Sequence, residues 1–190
     1  MPHNMEAITV RGPGNWRTPP SLADQIIERY SIDYDAFADH DNHIIPFYST
    51  DDGTYETVLD GNEGLVTRKV SDEDGITFSW EGRSVFLNPP YTAGFIPKVV
   101  RKCIAERNRA RIIVALLSAD TSTIAWRNII VPNAESITYL PRIKFWLPDG
   151  SGPGGSPNFG SAIVVFKKED RKSTRLNSSH IPLSRMPSSA

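Results

Sequence analysis

Cysteine occurs once in the 190 residues, as Cys103, which excludes an internal disulfide and a cysteine-based metal centre. No apolar run approaches the ~18 residues that a membrane-spanning helix needs. The stretch from Met1 to Arg17 has no apolar core able to serve as a secretion signal. Together these absences give the expectation of a cytoplasmic protein. Glycine is absent between Tyr30 and Thr50, so the Gly-rich loop common after the first strand of nucleotide-binding α/β folds is missing. No internal repeat is visible.

What is present is unevenly charged. The net charge is −1, yet residues 1–94 carry 6 Lys/Arg against 16 Asp/Glu, and residues 95–170 carry 11 against 6. An acidic half suits a cationic cofactor and a basic half suits phosphates; two solvated surfaces of opposite sign are the plainer alternative. Residues 171–190 add four positive charges, no acid, six serines and no aromatic residue. That composition reads as a disordered, non-native tail to be set apart from the fold, or, if native, as a basic nucleic-acid-binding arm. With residues 1–14 as a flexible lead, the expected folded domain is 15–170.

Along the chain, Leu22, Ile26, Ile27 and Tyr30 share one face of a helix expected over 21–30, with Ser21 and Asp24 as its capping box. Ile32 to Phe37 alternates with period two, so Asp33 and Asp35 point to one side. Residues 49–75 are acidic and turn-rich and read mostly as loop with room for one short strand, and regular structure is expected to resume at Ile76–Trp80. Val85-Phe86-Leu87 reads as a buried strand. Phe95–Glu106 reads as a helix with Pro97 in its first turn, and Arg111–Leu117, with Ile112–Leu117 apolar on both faces, as a central parallel strand. Ser122–Ile130 reads as a helix ending before Pro132. Ser136–Leu140, Ile143–Trp146 and Ser161–Lys167 read as closing strands, the last reached through the Gly/Pro-rich loop 148–157. The expected class is α/β, a mostly parallel sheet flanked by helices with a closing antiparallel hairpin.

The chemistry lies in Asn88-Pro89-Pro90-Tyr91, directly after the strand Val85–Leu87. An Asn carbonyl accepts one N–H of a planar amino group, and the carbonyl of Pro89 accepts the other. Consecutive prolines stiffen the turn, and Tyr91 offers a face on which a base can stack. A Pro-rich turn after a strand is the alternative reading. The carboxyl ends of strands are where open α/β sheets bind ligands. Lys98, Arg101 and Lys102 fall within a turn of one another on the following helix, facing either phosphates or solvent. His40 and His43 beside Asp39 and Asp41 are too weakly spaced to be read as a metal site, and no metal is expected.

With that motif in place, the chain resembles the phage DNA N-6-adenine methyltransferase (phage Dam-type) family. The landmarks run in order: Trp16-Arg17-Thr18-Pro19, Ile32-Asp33-Tyr34-Asp35-Ala36, Asp74-Gly75 with Trp80, and Phe86 through Tyr91. Leu116 through Thr123 with Trp126, and Arg142-Ile143-Lys144-Phe145, complete them. The resemblance implies a Rossmann-like methyltransferase fold with S-adenosylmethionine as methyl donor. It implies that Trp16, Thr18, Pro19, Asp33, Asp35 and Asp74 bind the donor. The catalytic set would be Asn88, Pro89, Pro90 and Tyr91. The implied substrate is the exocyclic amine of an adenine flipped out of double-stranded DNA, and the implied role is phage-encoded modification against host nucleases. Phe37 stands where the family tends to have a small residue, and either narrows the donor pocket or fills the core. Methyl transfer to RNA adenine or protein glutamine, and a catalytically idle DNA-binding protein, are the competing readings.

Overall fold

The computed structural model describes residues 16–61, 64–92, 94–154, 157–166 and 168. The lead and the tail expected from composition lie outside the described residues. One eight-stranded sheet organises the chain: β1 (Tyr34–Asp35), β2 (Phe47–Ser49), β3 (Thr54–Asp60), β4 (Gly64–Ser71), β5 (Ser84–Leu87), β6 (Ile112–Ser118), β7 (Ala134–Leu140) and β8 (Ser161–Phe166). Their spatial order is β4-β3-β2-β1-β5-β6-β8-β7. The neighbours β2–β1, β1–β5 and β5–β6 are parallel, and the two flanks are antiparallel. The sheet is therefore mixed with a parallel centre, rather than mostly parallel.

Period-two alternation divides the core into two layers. Val85, Leu87, Ile113, Ala115 and Leu117 face α2 (Phe95–Glu106), where Val99, Val100 and Cys103 are buried. Phe86, Val114, Leu116, Ile163 and Val165 face the other way, against Ile26 of α1 (Pro20–Tyr30). The expected helix at 95–106 and the strand at 112–117 are present.

Several expectations need correction. Helix α1 begins at Pro20 with no side-chain cap; the Pro19 carbonyl takes the N–H groups of Leu22 and Ala23, because proline at the first position presets the helical φ. Residues 54–60 and 64–71 form two long paired strands instead of mostly loop; Leu59, Leu65 and Val70 are exposed along with their polar neighbours, at an edge where alternation carries no burial signal. The segment around Ile76–Trp80 is largely turns, and Ile143–Trp146 is not a strand: its Trp146 makes isolated bridges with Arg17 and Pro153. The helix after β6 does not stop before Pro132. It winds as a π-helical turn, Trp126–Ile130, and continues through α3 (Val131–Asn133) with Pro132 in its opening turn. No helix among the described residues is long and apolar enough to cross a membrane.

Candidate active site

Strand direction around the centre fixes where a cavity must open. From β1 the chain moves outward to β2, β3 and β4, then returns to β5 on the other side of β1. The loops leaving β1 and β5 thus diverge, and the crevice between them lies at the carboxyl ends of parallel strands. A cavity of about 330 Å³ occupies that crevice, within the usual size of small-molecule sites. Its walls include Phe37 to Asp39 after β1, Thr50 and Asp51 after β2, and Asn88 and Pro90 after β5. Trp16, Phe95 and the turn Asp74–Ile76 complete it.

Asn88 is held from two sides. Its Nδ2 donates to Thr18 Oγ1 at 3.2 Å, and its Oδ1 accepts from the Tyr91 hydroxyl at 3.2 Å. The same hydroxyl lies 3.2 Å from the Leu116 carbonyl, so its single proton is shared between the two acceptors. These partners fix which end of the amide meets the cavity, and Oδ1 keeps a second lone pair. Pro89 is buried and Pro90 lines the wall. The Tyr91 ring packs edge-on against Phe159 at 5.4 Å, and burial pushes its hydroxyl pKa well up. Tyr91 is not among the lining residues.

The residues implied to hold a donor divide into those at the cavity and those away from it. Trp16 and Asp74 line it. Asp74 Oδ1 accepts from the N–H groups of Ile76 (3.0 Å) and Thr77 (2.8 Å). Burial works to raise the Asp74 pKa, but these bonds, the Thr77 hydroxyl and the Lys98 charge outweigh it and hold the carboxyl below its usual range. The next residue must be glycine: a Cβ on Gly75 would lie 1.7 Å from the Ala36 carbonyl oxygen. Phe37 stands beside it, edge-on to Phe95 at 5.7 Å, and forms cavity wall. Thr18 is buried and reaches the site through Asn88, while Pro19 serves as the start of α1.

The two acids around β1 part company. Asp33 lies at the amino end of the strand, accepting from Ser84 N–H at 3.0 Å and paired with Arg111. Asp35 is buried under the loop after β1, where Oδ2 takes the Ile44 N–H at 3.1 Å and Oδ1 has no hydrogen-bond partner. Burial raises its pKa to about 7, against the hydrogen bonds from Ile44 and Phe37 that lower it. Period-two alternation put both on one side, but at opposite ends of a two-residue strand.

Two acids of the cavity carried no motif in the sequence, Asp39 and Asp51. Burial, with the neighbouring Asp51 charge, raises the Asp39 pKa. Asp51 had one signal: an acid just beyond a strand adjacent to the first is placed as ribose-binding acids are in dinucleotide folds. The sequence pattern predicts no element between Phe37 and Ser49, so strand β2 goes unread and that signal with it. Of the basic trio, Lys98 and Arg101 are exposed. Lys102 is bound to Glu106 at 2.9 Å, with only 12% of its side chain exposed, and lies over the Trp80 ring. His43 stacks on Tyr48 at 4.1 Å and His40 meets Tyr55 edge-on at 4.5 Å. Among the described residues no group of three or more His, Cys, Asp or Glu is disposed to hold a metal ion.

Comparison with known proteins gives two findings. The family model described as DNA N-6-adenine-methyltransferase (Dam) matches residues 9–184. The DNA N-6-adenine-methyltransferase of Haemophilus phage HP1 (strain HP1c1) is 29% identical over 117 residues, covering 60% of this chain and 66% of that protein.

Proposed function

The chain belongs to the DNA N-6-adenine-methyltransferase (Dam) family, and from that premise we propose that it transfers a methyl group from S-adenosylmethionine to the exocyclic N6 amine of adenine in double-stranded DNA. The observation that carries this reading is Asn88 on the wall of the switch-point cavity, with its amide held by Thr18 and Tyr91. The parallel centre β2-β1-β5-β6 supports a Rossmann-like reading of the sheet. The setting is the host-cell cytoplasm, and the role is phage-type DNA modification.

The cavity fits the donor by its chemistry. Asp39, Asp51 and Asp74 bring three carboxylates to one small space; burial first and the Asp51 charge second raise the Asp39 pKa, and a bound cation would offset both. Carboxylates accept from ribose hydroxyl and ammonium groups, while Trp16, Phe37 and Phe95 supply apolar and aromatic walls. Asp35, buried after β1 with its Oδ1 unpartnered, does not line the cavity and acts on the donor only through the loop it holds. S-adenosylmethionine, when bound, supplies an electrophilic methyl group: nitrogen–carbon bond formation accompanies sulfur–carbon cleavage, and the amine loses one proton to solvent.

The chain's own work is positioning. Asn88 Oδ1 accepts one N–H of the adenine amine and the Pro89 carbonyl accepts the other. The nitrogen lone pair is thereby turned out of the ring plane, where it is otherwise delocalised. No protein nucleophile is needed, and the gain comes from orientation and preorganised acceptors. The base has to leave the duplex to reach Asn88.

The test is transfer of labelled methyl from S-adenosylmethionine to unmethylated DNA, read by nucleoside mass spectrometry, with Asn88→Ala alongside. Methylated adenine from the wild type alone is the expected result. Donor binding without product on DNA, but with product on RNA or protein, would overturn the choice of substrate. Absence of donor binding would leave the idle DNA-binding protein instead.

A further inference from the structure

Of the six cations in the densest basic run of the sequence, residues 98–111, at least three are engaged in ion pairs within the protein. Lys102 pairs with Glu106, Arg109 with Glu81 at 2.9 Å, and Arg111 with Asp33. The last two pairs sit at the amino ends of β1, β5 and β6, opposite the cavity. Lys98, on the first turn of α2, lies in the field of Asp74.

The cavity end keeps a different pair. β7 runs antiparallel to β8, and β8 antiparallel to β6, so β7 ends on the same side as β5 and β6. Arg142 and Lys144 follow that end directly. Both are exposed, and neither has a hydrogen bond or ion pair with a described residue. They alternate with Ile143 and Phe145, which pack into the core below α1, Phe145 at 3% exposure. Two apolar anchors therefore hold two cations on the outer side of one extended segment, about 7 Å apart along the chain.

This segment is also tied to the reacting end. Trp146 and Arg17 exchange two backbone hydrogen bonds at 3.0 Å, and Thr18, the next residue, holds Asn88. The path from Lys144 through Trp146, Arg17 and Thr18 to Asn88 is about 25 Å at full stretch, within reach of phosphates flanking a base drawn into the cavity.

We propose that Arg142 and Lys144 are phosphate contacts of the DNA, and that the duplex lies across the carboxyl-end rim on the β6–β7 side of the cavity. This rests on the function proposed above. It moves the principal backbone contact away from the α2 trio, and it leaves the acidic β1–β2 side of the rim to the donor. Such contacts set register and orientation and carry no sequence information.

The test is binding of a mixed-sequence DNA duplex, by fluorescence anisotropy across a salt series, with methyl transfer assayed in parallel. Replacing both cations, Arg142→Gln with Lys144→Gln, is expected to flatten the slope of log affinity against log salt by about 2. Equivalently, the affinity lost between 50 and 200 mM salt shrinks by about tenfold. The charge-keeping pair Arg142→Lys with Lys144→Arg should retain the slope, and unchanged S-adenosylmethionine affinity shows that the fold is intact. A slope equal to that of the wild type, or one lost only in Lys98→Gln with Arg101→Gln, overturns the surface. Duplex binding without methyl transfer defeats the proposed function yet still reads the surface from the slope. No duplex binding by the wild type overturns both.

Discussion

At the amino ends of the central strands, Asp33 meets Arg111, Glu81 meets Arg109, and Glu106 meets Lys102. At the carboxyl ends, Asp39, Asp51 and Asp74 gather around one cavity, and none of them forms an ion pair with a described residue. The same side-chain types are thus paired into salt bridges at one end and left without them at the other, where hydrogen bonds steady Asp74 and only the longer-range charges of Lys98 and Arg17 reach Asp74 and Asp39. Paired charges close a structure; crowded like charges store a preference for a cation not supplied by the fold. Net charge and its drift along the sequence cannot distinguish the two, because they count residues without their partners.

If that contrast is right, substitutions at the two ends should fail in different measurements. The largest effect is expected at the closed end. Glu106→Ala strands Lys102 in a buried position and removes the acceptor of the Trp80 N–H. It should cost about 3–5 kcal/mol in urea unfolding while donor affinity of the folded protein holds. At the open end, Asn88→Ala should lower kcat on the order of 10²–10³-fold, about 3–4 kcal/mol of barrier, with thermal stability and donor affinity nearly unchanged. Equal loss of kcat and donor affinity would recast Asn88 as structural.

Asp35 gives the pH signature of the open end. Its folded pKa of about 7 lies above the ordinary carboxylate value, so between the two values the folded state holds a proton that the unfolded state has lost. Its contribution to stability therefore falls as pH rises from 4 to 7 and levels off above that. Relative to Asp35→Asn, the wild type should lose about 2–3 kcal/mol between pH 5 and 7, measured by denaturant unfolding. A difference that is flat with pH would place the proton elsewhere.

Two smaller effects sharpen the contrast. Asp39→Asn should weaken S-adenosylmethionine binding by about tenfold, roughly 1.4 kcal/mol, with no loss of stability, because a crowded carboxylate has been removed. Asp33→Asn should do the reverse: it gives up a partly exposed ion pair worth at most about 1 kcal/mol and leaves donor affinity alone. Calorimetric titration and a thermal melt on each variant decide between them.

How much of this was legible in the sequence depends on how local each signal was. The apolar runs of β5, β6 and β8 are buried on both faces and announced themselves. The place of Asn88-Pro89-Pro90-Tyr91, just beyond β5, was legible because the four residues directly follow an apolar run; that Asn88 and Pro90 meet the cavity while Tyr91 does not was not. The paired strands 54–60 and 64–71 were not legible either, since an exposed edge obeys no burial pattern. The partners of Asn88 were half visible: Tyr91 is three residues away, whereas Thr18 is separated by 70. The fate of Lys102 needed the position of Glu106 in space as well as in sequence, because an i,i+4 pair on an exposed helix face would have left the cation in water.

The clasp between Arg17 and residues 146–154 sets a timetable. Arg17 Nε donates to the Pro148 carbonyl at 2.7 Å across 131 residues, and Gly154 lies so close to the Trp16 ring that a Cβ there would come within 2.1 Å of it. Trp16 and Thr18 therefore cannot be fastened in place until those late residues have been made. At about 5–20 residues per second, a ribosome needs roughly 7–26 s to get from one side of the clasp to the other. A nascent chain can assemble the paired-charge end during that interval, but the Trp16 wall of its carboxyl-end cavity is not fastened until Gly154 has been made.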